Sequence, residues 1–84
     1  MSKRVAVMDL GTNTFHLLIT EGSLDNLTEL QHDHEAVKLG EGGINKGYIV
    51  PEAFERGLKT MRMFKAHIDR FAVTEVKALS LIHI

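Results

Sequence analysis

A lone carboxylate, Asp9, lies at the end of an apolar run and is followed by the small polar turn Gly11-Thr12-Asn13-Thr14. A carboxylate at the exit of a buried strand is costly unless a positive group meets it. Mg²⁺ is a natural partner, because it takes one or two carboxylates and completes its coordination with water and substrate phosphate. The first three amides of the turn and the hydroxyls of its two threonines could hold phosphate oxygens. The stretch therefore indicates either a phosphate site with Mg²⁺ or a plain hairpin turn closed by its Asp and Asn side chains.

The residues on either side of this turn predict a β-hairpin. Residues 4–10 are apolar on both faces, which is typical of a strand in the middle of a sheet that is covered on both sides. Gly11 and Asn13 can take a positive φ at low cost and so supply the turn. Residues 14–20 are rich in β-branched and aromatic side chains and predict the return strand.

The segments that follow predict the rest of a small α/β unit. Residues 21–26 indicate a second polar turn, and residues 27–39 a third, more polar strand, which completes an antiparallel meander of three strands. A helix then covers the sheet. Residues 75–84 predict a final strand, which joins the sheet in parallel because it follows a covering helix.

Pro51, the only proline, predicts the start of that helix. The pairs Glu52–Arg56 and Glu55–Lys59 are one turn apart and in the favourable order, which predicts two ion pairs on its surface. Apolar residues recur at spacings of three and four and indicate one buried stripe. The members of this stripe are Phe54, Leu58, Met61, Phe64, Ile68 and Phe71.

Size and composition limit the possible functions. The chain has 84 residues, of which 44% are hydrophobic and 25% charged, and a formal charge of −1, so we expect one soluble unit with a small core. The charge offers no basic field for duplex nucleic acid, and the absence of cysteine excludes disulfides. No signal peptide or membrane span is predicted. These features favour a cytoplasmic protein with no nucleic-acid or membrane partner.

The sequence of residues 7–19, Val-Met-Asp-Leu-Gly-Thr-Asn-Thr-Phe-His-Leu-Leu-Ile, resembles the first phosphate motif of the exopolyphosphatase / guanosine pentaphosphate phosphohydrolase (Ppx/GppA) family. The resemblance continues through Val-Lys-Leu-Gly-Glu-Gly at 37–42, the helix from Pro51 and Glu-Val-Lys-Ala at 75–78. That family belongs to the actin, hexokinase and acetate kinase superfamily. The resemblance therefore implies a partial ribonuclease-H-like (actin/hexokinase-type) domain, with a three-stranded meander, a covering helix and a parallel strand.

The resemblance also implies roles for Asp9 and the turn after it, residues 11–14, which together we call the hairpin tip. Asp9 would help to hold Mg²⁺, and the phosphate under attack would be bound by Gly11, Thr12, Asn13 and Thr14. His16 falls where family members carry Arg or His, so it either assists phosphate binding or simply faces a polar neighbour on its strand, with equal weight. The substrate of the whole protein would be polyphosphate or guanosine pentaphosphate, and a homodimer is compatible with the family.

Departures from the family pattern concern the end of the chain. The family follows its fourth strand with a small polar loop and a basic residue, whereas residues 80–84 here are Ser-Leu-Ile-His-Ile. The glutamate-rich segment that supplies the general base has no counterpart, and neither has the second phosphate motif. We therefore expect residues 1–79 to be an incomplete N-terminal phosphatase domain and 80–84 a truncated or unrelated tail. No catalytic residue is assigned, and little or no turnover is expected.

Two other functions stay open on the residues alone. A sugar or acetate kinase, or an ATPase, of the same superfamily would share the hairpin, and a non-catalytic interaction module could use the fold without chemistry. His32 and His34 share one face of the third strand and could ligate a metal, although an exposed polar strand explains them more simply.

Overall fold

The computed structural model of the protein describes residues 3–23, 25–41 and 49–80, with only the backbone of residue 80. Within these residues a single helix packs on one face of a four-stranded sheet. The elements are β1 (Lys3–Leu10), β2 (Thr14–Ser23), β3 (Asn26–Ala36), α1 (Pro51–Arg70) and β4 (Glu75–Ser80). This helix lacks the long apolar stretch that crossing a membrane requires.

The strand order is β3-β2-β1-β4. The pairs β1–β2 and β2–β3 are antiparallel and the pair β1–β4 is parallel, so the predicted meander with a parallel fourth strand is confirmed. The second turn is shorter than predicted, because the strands continue to Ser23 and restart at Asn26. Gly22, with a φ of 129°, permits this tight reversal. Most of the glycine-rich segment 40–47 and most of the predicted tail, residues 80–84, lie outside the described residues.

The two faces of the sheet differ in character. On the face beneath α1, the β1–β2 register pairs Ala6 with Ile19 and Met8 with Leu17, and all four side chains are buried. The opposite face carries Asp9 and the other strand residues that alternate with these buried ones. No described element covers this second face, so the predicted coverage of β1 on both sides is not found within the residues that the structure describes.

The buried face of α1 is centred on small residues. Its buried members are Ala53, Gly57, Thr60 and Phe64. The predicted stripe was wrong at Phe54, which is 54% exposed. A Cβ atom on Gly57 would lie 3.3 Å from Cδ2 of Leu39, so the helix backbone approaches the chain beneath it closely. Because small residues permit this approach, several large apolar side chains lie beside the contact instead of at its centre.

The outer strand β4 is joined to β1 by charges as well as by its backbone. Lys3 Nζ lies 3.0 Å from Glu75 Oε1, and Lys77 Nζ lies 3.6 Å from Glu75 Oε2. The hydrogen bond and charge of Lys3, followed by the charge of Lys77, hold the pKa of the Glu75 carboxyl below its ordinary value. This cluster is exposed, so its effect is screened by salt.

Replacing Lys3 by Gln should raise the pKa of Glu75 towards its ordinary value, because it removes the larger of the two influences. The matched change Lys77→Gln should raise it less. An NMR titration of the side-chain carboxyl carbons measures both variants. A larger rise in Lys77→Gln than in Lys3→Gln would contradict the assignment of Lys3 as the main partner.

Replacing Phe64, which is fully buried, by Ala should lower the free energy of unfolding by about 3–5 kcal/mol, because it leaves a cavity in the core. The matched change Phe54→Ala removes a ring that is 54% exposed and should cost much less. Urea denaturation followed by circular dichroism gives both values. Equal losses would mean that α1 presents the predicted stripe to the sheet after all.

Candidate functional site

Asp9 is the next-to-last residue of β1 and its side chain is exposed. None of the ion pairs among the described residues involves it. In the β1–β2 register Asp9 lies directly opposite His16. Side chains of directly opposed residues project from the same face with Cβ atoms about 4.5–5.5 Å apart. The fold therefore brings Asp9 and His16 together on the face that α1 does not cover.

The turn between β1 and β2 is closed by its own backbone. The amide of Gly11 donates to the carbonyl of Thr14 at 3.2 Å. A Cβ atom at Gly11 would also lie 3.3 Å from that carbonyl oxygen, so the position favours glycine. Of the three amides that the sequence offered to an anion, that of Gly11 is therefore already used inside the protein.

The next two carbonyls of the turn are held by the segment that follows β3. The Thr12 carbonyl accepts from the Leu39 amide at 2.8 Å, and the Asn13 carbonyl accepts from the Val37 and Lys38 amides at 2.9 and 3.0 Å. In a trans peptide the N–H points away from the C=O. The amide of Asn13 is therefore directed away from residues 37–39, and no hydrogen bond among the described residues uses it or the amide of Thr12.

Burial fixes the segment that holds the turn. Val37 is fully buried and Leu39 is 4% exposed. Lys38 lies between them with a φ of 48°, so its side chain is exposed while its two neighbours enter the core. These apolar anchors position the backbone amides that meet the turn.

Arg56 of α1 fixes the same segment from the other side. Its Nε donates to the Val37 carbonyl at 2.8 Å, and its Nη2 donates to the Lys38 carbonyl at 3.1 Å and to Glu41 Oε1 at 3.2 Å. Among the described ion pairs neither of the two predicted for this helix occurs; Arg56 binds Glu41 instead. The guanidinium turns away from Glu52 because three acceptors converge on it. Sequence reasoning missed this role, for which an arginine in the second turn of the helix was the available signal.

His16 has two histidine neighbours. Its ring centroid lies 6.0 Å from that of His34 and 6.4 Å from that of His32. The side chain is exposed, as is that of Asp9. In the side-chain positions of the described residues, no three acidic, histidine or cysteine groups converge to hold a metal. A single carboxylate at the tip is nevertheless compatible with Mg²⁺, which needs few protein ligands when phosphate and water complete its coordination.

Comparisons with known proteins relate this hairpin to phosphatases. No protein-family model matches the chain. A bifunctional 3-dehydroquinate synthase/phosphatase from Fusobacterium nucleatum is 37% identical in an alignment of 75 residues, which covers 83% of this chain and 11% of that protein. An exopolyphosphatase from Cytophaga hutchinsonii has a TM-score of 0.86 and 46% identity, over 93% of this chain and 25% of that structure.

A Ppx/GppA family member from Aquifex aeolicus superposes with a TM-score of 0.87 and 25% identity, over 95% of this chain and 26% of its own. The chain thus spans about a quarter of the solved structures that it matches. These similarities confirm the resemblance carried by residues 7–19 and the partial actin-like α/β fold. They do not favour the kinase or the interaction module.

Replacing Arg56 by Gln should speed hydrogen exchange at the Leu39 amide at least tenfold, because the segment loses the donors that fix its carbonyls. The net loss of stability should be about 1–3 kcal/mol. The control is Arg62→Gln, an exposed arginine of the same helix. NMR-detected exchange measures both; unchanged protection in Arg56→Gln would show that the buried anchors alone hold the segment.

Proposed function

We propose that this chain, which is similar to exopolyphosphatase and Ppx/GppA structures over the part that it spans, forms the phosphate-binding hairpin of a Mg²⁺-dependent phosphatase. The substrate is the terminal phosphate of inorganic polyphosphate or of guanosine pentaphosphate. One observation carries the proposal. The exposed carboxylate of Asp9 lies beside a turn whose carbonyls are engaged on one side, and the amides of Thr12 and Asn13 are free of bonds to the described residues.

Each part of the tip has a distinct role in this proposal. Asp9 would hold Mg²⁺, which when bound would supply charge neutralisation for the phosphate. The amides of Thr12 and Asn13, with the hydroxyls of Thr12 and Thr14, receive phosphate oxygens. Gly11 closes the turn through the hydrogen bond from its amide to the Thr14 carbonyl. Because glycine has no Cβ atom, it leaves room for that carbonyl oxygen.

His16 is placed to assist from the neighbouring strand. It lies opposite Asp9 on the same face, and in its protonated form an imidazole donates from both ring nitrogens. It can therefore add a donor to a phosphate held at the tip. Its exposed position leaves the side chain accessible to a substrate of either kind.

Hydrolysis needs one further group that this proposal does not assign within the chain. Phosphoryl transfer depends on positioning and charge neutralisation, which the tip and a bound Mg²⁺ would supply. It also requires a residue that orients or deprotonates the attacking water. We therefore propose that the 84 residues bind a phosphorylated ligand with Mg²⁺ but turn it over slowly or not at all.

Replacing Asp9 by Asn should weaken Mg²⁺-dependent binding of sodium tripolyphosphate at least tenfold, because it removes the carboxylate charge without changing the size of the side chain. Asp9 is exposed, so the fold should be unaffected. The matched control, Asp25→Asn, alters an exposed aspartate in the turn between β2 and β3. Titration calorimetry with and without Mg²⁺ measures all three proteins.

The proposal would be overturned by the absence of Mg²⁺-dependent binding in the unmodified chain, or by equal affinities in Asp9→Asn and Asp25→Asn. A phosphate-release assay on the same samples tests the second part of the proposal. Robust turnover by the unmodified chain would mean that a residue of this chain activates water. Repeating the titration with guanosine pentaphosphate then compares the two substrate classes on one site.

A further inference from the structure

We propose that His16, His32 and His34 form a binding site for a divalent transition metal such as Zn²⁺, on the face of the sheet that α1 leaves uncovered. The three ring centroids lie 6.4, 6.0 and 6.4 Å from one another. They therefore form a nearly equilateral triangle, which we call the histidine cluster. Neutral imidazole is a preferred ligand of Zn²⁺, Cu²⁺ and Ni²⁺, and three histidines make a complete protein ligand set for a zinc ion that keeps one open position.

The backbone creates this cluster. His16 of β2 lies directly opposite His34 of β3, and Leu18 lies opposite His32. Residues two apart on a strand project from the same face, so all three imidazoles leave the sheet in one direction. The two strands pair along most of their lengths, and this hydrogen-bonded base holds the three Cβ atoms in place. A site on paired strands is more rigid than one on loops.

Binding of a common metal requires the three side chains to rotate so that one nitrogen of each ring faces the centre of the cluster. As noted for the described side-chain positions, no three such groups converge on one point. The point equidistant from the three centroids lies about 3.6 Å from each, the mean side of the triangle divided by the square root of three. A Zn–N bond of about 2.0–2.1 Å puts the metal roughly 3.2 Å from a ring centroid. All three side chains are exposed, so the core does not obstruct this rotation.

Two acidic side chains lie next to the histidine cluster. Glu29 Oε1 lies 3.6 Å from His32 Nδ1, and a carboxylate next to one ring nitrogen orients the imidazole so that the other nitrogen can bind metal. Asp9 faces His16 from β1 and adds negative charge at the rim of the cluster. This nitrogen-rich ligand set differs from the oxygen ligands that Mg²⁺ prefers, so the histidine cluster is a second kind of site and does not depend on the proposed function.

Titration of the untagged 84-residue chain with ZnCl₂ tests the proposal. We expect one Zn²⁺ per chain with micromolar or tighter affinity, and Co²⁺ in its place should give the visible absorption bands of a nitrogen-ligated ion. His32→Gln and His34→Gln should each weaken binding at least tenfold. Both residues are exposed, so circular dichroism should be unchanged.

The matched control replaces the two histidines outside the cluster, His67 and His83, by Gln. His67 lies on α1, 3.4 Å from Asp33 and away from the cluster, and His83 lies outside the described residues. This double variant should bind Zn²⁺ as the unmodified chain does. The proposal is overturned if the unmodified chain does not bind, if His32→Gln and His34→Gln bind normally, or if the double variant loses binding. None of these outcomes involves phosphate, so they leave the proposed function to its own test.

Discussion

Three backbone hydrogen bonds hold the hairpin tip, and the rest of the site depends on them. The carbonyls of Thr12 and Asn13 accept from residues 37–39 at 2.8–3.0 Å, and this directs the amide of Asn13 to the other side of the turn. A turn of this composition without such partners could adopt several conformations. With its carbonyls engaged, it presents one arrangement of donors beside the carboxylate of Asp9. The β1–β2 turn is therefore part of a larger unit that includes the chain beyond β3.

The helix is coupled to this unit through packing and through one side chain. Gly57 permits the helix backbone to approach Leu39 and the ring of Phe15 within van der Waals distance. Arg56, the preceding residue, binds the carbonyls of Val37 and Lys38. Apolar burial and charge-assisted hydrogen bonds act on the same short segment, so this segment connects α1 with the tip. The small residues on the helix thus have a consequence at the site as well as in the core.

One face of the sheet forms the apolar core under α1, and the other face carries the polar residues of the candidate sites. A strand exposes alternate residues on opposite faces, so the register that buries Met8 and Leu17 under α1 also places Asp9 and His16 together on the other face. The pairing of β2 with β3 adds His32 and His34 to that face. Carboxylate and imidazole groups collect there because period-two alternation acts on several paired strands at once.

The sequence by itself determined the elements and the position of the tip. Alternating and continuous apolar runs predicted the meander and the parallel strand, Pro51 marked the start of the helix, and Asp9 with the turn after it marked the place where phosphate chemistry could occur. These signals are local, since each depends on residues close together in the chain. Only the tertiary structure decided which side of α1 is buried, that Arg56 turns to the backbone of residues 37–39 instead of to Glu52, and which amides of the turn are left for a ligand. Those outcomes depend on close approach between segments far apart in the chain, and neither helical periodicity nor turn composition carries information about such distances.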